Sequence, residues 1–178
     1  MPLVLEGGSA ERMSGKGLFL CLFIQQYLFF LFPIPFVSST KEKVDGMVRI
    51  YSRTAPFAKL AEAHESKQWV SDVKFSPDGR TLAVGAHDSC IQLYNAAVSG
   101  EGADVKATLS IRCKFAKHNS FISHFDFSSD SRFMQSTCGA YELLFSDVIT
   151  GKQITSATEL KDVRWSSWTL TLGWPVQV

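Results

Sequence analysis

From Asp45 onward apolar and polar residues alternate in short runs divided by turn residues, the period of half-buried β-strands. Asp45-Gly-Met-Val-Arg-Ile-Tyr-Ser52 lines up with Asp88-Ser-Cys-Ile-Gln-Leu-Tyr-Asn95, 43 residues later. In each, an Asp in a tight turn opens a strand. The pattern points Val48 and Ile50 inward with Arg49 outward, and Ile91 and Leu93 inward with Gln92 outward. A second offset, of 52 residues, superposes Val70, Val73 and Phe75 on Ile122, Phe125 and Phe127, and Asn95 on Asp147. The extra length falls in Ala97–Lys106, a polar stretch suited to a surface loop, where insertion is mild.

Ser76-Pro77-Asp78-Gly79 predicts a hairpin turn between two of these strands. Pro77 pre-sets φ, and Gly79 supplies the positive φ that the turn needs. Phe127-Ser-Ser-Asp-Ser-Arg132 holds the same place in the next unit without the glycine. Repeats of this length are the mark of an array of similar units.

The beginning of the chain reads differently. No charge occurs from Gly17 to Thr40, and residues 17–37 form an apolar run able to start a helix. Its length suits a bilayer span. With Arg12 and Lys16 before it and Val37-Ser38-Ser39 after it, it also has the layout of a signal peptide. Gln25 and Gln26 interrupt the run, and Pro33 and Pro35 end any helix near Phe32. A third explanation is translated non-coding sequence or an alternative first exon joined to a repeat region. Ser14-Gly15-Lys16-Gly17 is not a phosphate loop, because Ala10 and Gly17 stand where that motif needs Gly and Ser or Thr.

Composition adds exclusions. With 18 Lys and Arg against 17 Asp and Glu, and no basic cluster, the chain has no electrostatic footprint for nucleic acid. Cys21, Cys90, Cys113 and Cys138 form no C-x-x-C pair, so they read as free thiols in a reducing compartment. The sequence has no N-x-[ST] sequon, in keeping with a cytoplasmic location.

The repeats resemble WD40 blades. That consensus has a Gly-His start, an F-S-P-D-G turn, a turn Asp and a closing Trp-Asp. Here Ala63-His64 stands at the start of one blade, Asp78-Gly79 in its hairpin, Asp88 at its turn and Tyr94-Asn95 at its end. In the next blade the matching places hold Lys117-His118, Ala140 and Ser146-Asp147. The resemblance implies that His64, Asp88 and Tyr94 form a buried hydrogen-bonded set tying loop to strand. It also implies a weaker following blade, with His118 short of a partner. The stretch His118–Phe127, Tyr141-Glu-Leu-Leu144 and the tail from Ile154 to Trp174 is similar to the echinoderm microtubule-associated protein-like family. That likeness covers about residues 43–174 and implies a scaffold on the cytoskeleton with tubulin or microtubules as partner.

The expected fold is therefore all-β: a partial WD40 β-propeller over 43–178, preceded by a non-propeller segment, 1–42. Its 136 residues make roughly three blades at 40–45 residues each, fewer than a ring needs. Asp45–Ser52 reads as a third strand whose two predecessors are replaced by the apolar run, which suggests a truncated or mis-spliced product. No catalytic residue, cofactor or metal is expected. His87-Asp88-Ser89-Cys90 reads as a blade turn and not as a metal site, and His118 and His124 lie on different elements. Trp165, Trp168 and Trp174 are expected to pack between blades. The alternative function is a membrane-anchored or secreted repeat protein using 17–37.

Overall fold

A computed structural model describes residues 36–39, 46–52, 58–99, 106–170 and 173. The strands in chain order are β1 (Phe36–Ser39), β2 (Gly46–Tyr51), β3 (Lys59–Ser66), β4 (Val70–Phe75), β5 (Thr81–Ala86) and β6 (Ile91–Ser99), then β7 (Lys106–Phe115), β8 (Ile122–Phe127), β9 (Phe133–Cys138), β10 (Leu143–Asp147) and β11 (Gln153–Ile154). They form three antiparallel sheets, β1-β2-β3, β4-β5-β6-β7 and β8-β9-β10-β11, each a simple meander. Among the described residues these sheets close no ring. Apart from Phe36 and Val37, the apolar run lies outside the described residues, so its reading as helix, anchor or signal does too. Among the described residues no helix is long and apolar enough to cross a membrane.

β1 falls within the segment assigned to 1–42 and pairs with β2, Val37 opposite Ile50 and Ser39 opposite Val48. The first sheet thus has a strand ahead of the Asp45 repeat, drawn from the end of the apolar run.

The core lies between the sheets. Val48 and Ile50 of the first sheet pack against Val70, Leu82, Val84 and Tyr94 of the second. Ala83, Ile91, Leu93 and Phe115 of the second meet Ile122, Phe125, Phe127 and Met134 of the third. Phe145 of the third meets Leu160 and Trp165 of the following segment. A sheet covered on both faces loses the alternation of a half-buried strand. β5 is accordingly buried along its whole length. The same sandwiching corrects the outward placing of Gln92. Its side chain is buried, and its Oε1 accepts a 2.7 Å bond from the Ser66 hydroxyl.

The two four-stranded blades share the Ser, Asp and Arg of their turns. Ser76 Oγ donates to Asp78 Oδ1, which also accepts from the Arg80 amide at 3.0 Å. Ser128, Asp130 and Arg132 repeat both bonds in the third sheet. Gly79 has φ +71°, and Ser131 takes φ +63° in its place. A left-handed backbone costs an L residue roughly 1–2 kcal/mol. Here the Ser131 hydroxyl accepts a bond from the Asp78 amide at 3.0 Å, joining the turns of adjacent blades.

Candidate functional site

Three constellations stand out. The first ties blade to blade through buried charge. Lys74 on β4 places its ammonium 2.9 Å from Asp72 Oδ2 and 3.4 Å from Asp126 Oδ1 on β8, and both carboxylate side chains are wholly buried. The ammonium also donates to the Phe125 carbonyl and the Thr169 hydroxyl. Asp72 Oδ2 accepts from the Phe125 amide at 3.3 Å, so the second sheet grips the third. Asp126 grips the segment beyond in the same way. It accepts from the hydroxyls of Ser167 and Thr169 and from the amides of Thr169 and Leu170, at 2.5 to 3.3 Å. Burial alone would raise the Asp126 carboxyl, but Ser167, Lys74 and Thr169 outweigh it and hold the group below its ordinary value. Sequence reading missed this ladder. Its one signal is charge at inward-facing strand positions, where an ordinary β-core is apolar.

The second constellation is the corner around His118. His118 is buried in the loop before β8, with Nε2 2.8 Å from Ser136 Oγ on β9. The carboxylate expected at Ala140 comes instead from Glu142, whose Oε2 lies 3.7 Å from His118 Nδ1. Glu142 also accepts from the Asn119 amide and side chain and from the Cys138 thiol, and these bonds hold its carboxyl down at about 2. Burial keeps His118 below its ordinary value, against the pull of Glu142. The expectation that His118 lacks a partner is thus corrected, because the acid has moved two residues along the same turn.

The other expected blade residues fall as follows. Tyr94 is buried, and its hydroxyl is pushed upward by burial and by the charges of Glu65 and Asp88. Asp88 is half-buried, 3.8 Å from the Lys114 ammonium. His64 is exposed on β3, which corrects its place in a buried set. The 52-residue offset brings Ser66, and not His64, to the position of His118, and Ser66 makes the buried bond to Gln92. Asp147 closes the β10–β11 hairpin by accepting from the amides of Ile149 and Thr150. His124, on β8, sits 3.5 Å from Asp72, apart from His118. Of the tryptophans, Trp165 is buried and stacked on Phe145, Trp168 is 64% exposed, and Trp174 lies outside the described residues.

The third constellation is a surface. An open groove of about 410 Å³ runs between the turns of the two blades, lined by Arg80, Arg112, Arg132 and Ile149 beside Asp78 and Asp130. Arg112 is anchored, with Nε on Asn95 at 2.6 Å and Nη1 on the Val148 carbonyl. Arg80 and Arg132 are exposed, and among the described residues neither guanidinium has a hydrogen bond or ion pair. Ile149 is 64% exposed at the rim. Arg132 lies over the Phe133 ring, 5.0 Å from its centroid, and exposed arginines around an apolar residue are the composition of a protein contact.

Comparison with known proteins decides the family. The family model described as the echinoderm microtubule-associated protein second β-propeller matches residues 36–178. The chain belongs to the echinoderm microtubule-associated protein family. Within the family, the 77 kDa echinoderm microtubule-associated protein of Strongylocentrotus purpuratus is 40% identical over 112 residues, 63% of this chain and 16% of that protein. Human echinoderm microtubule-associated protein-like 3 is 39% identical over 118 residues, 66% of this chain and 12% of that protein. The chain thus spans a small part of the relatives it matches. Among solved structures, the β-propeller domain of Cps50 (Swd1) from Myceliophteria thermophila superposes with a TM-score of 0.56 at 18% identity. It covers 68% of this chain and 36% of that one, which supports the propeller fold alone. The family match starts at the first residue of β1, in keeping with the pairing of that strand in the first sheet.

Proposed function

We propose that the chain is a stretch of a non-catalytic WD40 scaffold that binds tubulin or microtubules through its propeller surface, on the cytoskeleton in the cytoplasm. Membership of the second-propeller family carries this reading. The groove between the blade turns supports it by offering the exposed guanidinium groups of Arg80 and Arg132 to a partner that presents carboxylates. Fold alone is silent on the ligand, since propellers serve many partners. Membrane anchoring through residues 17–37 has only the apolar run in its favour.

The test is co-sedimentation with stabilised microtubules. The chain is expected to pellet saturably and to release as salt rises, because exposed charge contacts are screened. Reversing Arg80 and Arg132 to Glu together is expected to weaken binding roughly threefold to tenfold while leaving the circular dichroism unchanged. A chain that stays in the supernatant at moderate salt contradicts the reading. Unchanged affinity of the double variant moves the contact away from the groove.

A further inference from the structure

We propose that His118, Cys138 and Glu142 form a binding site for one thiophilic divalent metal ion of the zinc type. Each residue brings one donor atom, and the three donors lie within 4.8 Å of one another. They converge from separate places: the loop before β8, the end of β9 and the turn into β10. Glu142 Oε2 is 3.2 Å from Cys138 Sγ and 3.7 Å from His118 Nδ1. Tetrahedral zinc, with metal–ligand lengths of about 2.0 to 2.3 Å, sets neighbouring donors roughly 3.3 to 3.6 Å apart. Both measured separations fall within a few tenths of an ångström of that range.

The state of His118 is the second, independent observation. Its side chain is fully buried, and Nδ1 has no hydrogen-bond partner. The hydroxyl of Ser136 is directed at the Leu144 carbonyl, at 3.4 Å. Ser136 Oγ also lies 2.8 Å from His118 Nε2 and holds that ring nitrogen in a hydrogen bond. Nδ1 is the ring nitrogen that faces the Glu142 carboxylate, 3.7 Å away. A metal ion seated between Nδ1 and the carboxylate would be ligated by both. Such an ion can also take the adjacent Cys138 sulfur.

The surroundings suit such an ion. Ser136 on the far ring nitrogen is the outer partner that orients a ligating histidine. The amide and side chain of Asn119 do the same for Glu142. Cys138 is buried, whereas the Glu142 side chain is 28% exposed and opens the corner to solvent. A water molecule completes the fourth position. On binding, the Cys138 S–H bond is replaced by a sulfur–metal bond and the proton leaves to bulk water. The ion would clamp the loop before β8 to the β9–β10 turn, the task a histidine and turn-aspartate pair has in the WD40 consensus.

Titration of the reduced full chain with Co²⁺ alone tests the site. One equivalent is expected to produce the thiolate-to-cobalt charge-transfer band and tetrahedral ligand-field bands, both removed by excess Zn²⁺. Cys138→Ser should abolish the charge-transfer band, and Cys90→Ser should leave it intact. Glu142→Gln, at a partly exposed position, should weaken binding at least tenfold while the circular dichroism stays unchanged, so it carries the test even where Cys138→Ser disturbs folding. A wild-type chain without the band, or a band that Glu142→Gln and Cys138→Ser both leave unaltered, overturns the assignment.

Discussion

Replacing Asp126 by alanine is expected to cost on the order of 3–5 kcal/mol of folding stability, well beyond the usual effect of a point substitution. The carboxylate is wholly buried and accepts from two backbone amides and two hydroxyls of the segment Ser167–Leu170, with the Lys74 ammonium beside it. Alanine leaves those donors without an acceptor in a place water does not replace, and each unsatisfied buried group costs about 1–3 kcal/mol. Lys74 keeps Asp72, so the damage falls on the junction between the third sheet and the segment that follows. A lowered urea midpoint at unchanged slope is the expected reading.

The same residue sets a pH dependence. Its folded carboxyl lies below the ordinary value. A carboxyl lowered in this way adds stability that is complete above the unfolded value, near 4, and is lost as pH falls through the folded value. The gap between wild type and Asp126→Asn should therefore narrow as pH drops below about 4. A constant gap down to pH 2 would show that the charge contributes nothing.

Gly85→Val is the second large effect, with an expected loss of about 1–3 kcal/mol. Gly85 lies on β5 where the second and third sheets meet. A Cβ there would stand 2.8 Å from Ile122 Cγ2 and 3.0 Å from Phe125 Cε1. Ile122 and Phe125 are fully buried, so neither can swing into solvent. The blades would have to part. Denaturant unfolding measures the loss, and a midpoint equal to wild type would mean that the sheets do not pack face to face at this point.

The strands β4, β5, β6, β8, β9 and β10 and the family were legible in the sequence, because alternation, turn chemistry and the 52-residue offset agree with one another. Strand β7 was not, and the stretch Ala97–Lys106 read as loop is strand at Ala97–Ser99 and Lys106, paired across the hairpin. Other features were not. The strand character of Phe36–Ser39 is masked by the apolar run it ends, since a short apolar stretch fits strand or helix equally. The burial of Gln92 depends on both faces of its sheet being covered, a property of neighbouring sheets and not of the strand. The corner of His118, Cys138 and Glu142 escaped because its donors share no spacing motif and its acid stands two residues beyond the consensus position. The Asp72–Lys74–Asp126 ladder likewise joins residues 54 apart in sequence, invisible to any local pattern.

A surface built from the turns of two blades is a defined scaffold only if those blades move as one body. Amide hydrogen exchange of the native chain tests this most directly, read at Asp78 and Phe125. Their amides bond to the Ser131 hydroxyl and to the Asp72 carboxylate across the junction between the two blades. Protection at these amides equal to that of the β8–β9 ladder is the predicted result. Exchange at unprotected rates beside a protected β8–β9 ladder would contradict the coupling and, with it, the proposed scaffold.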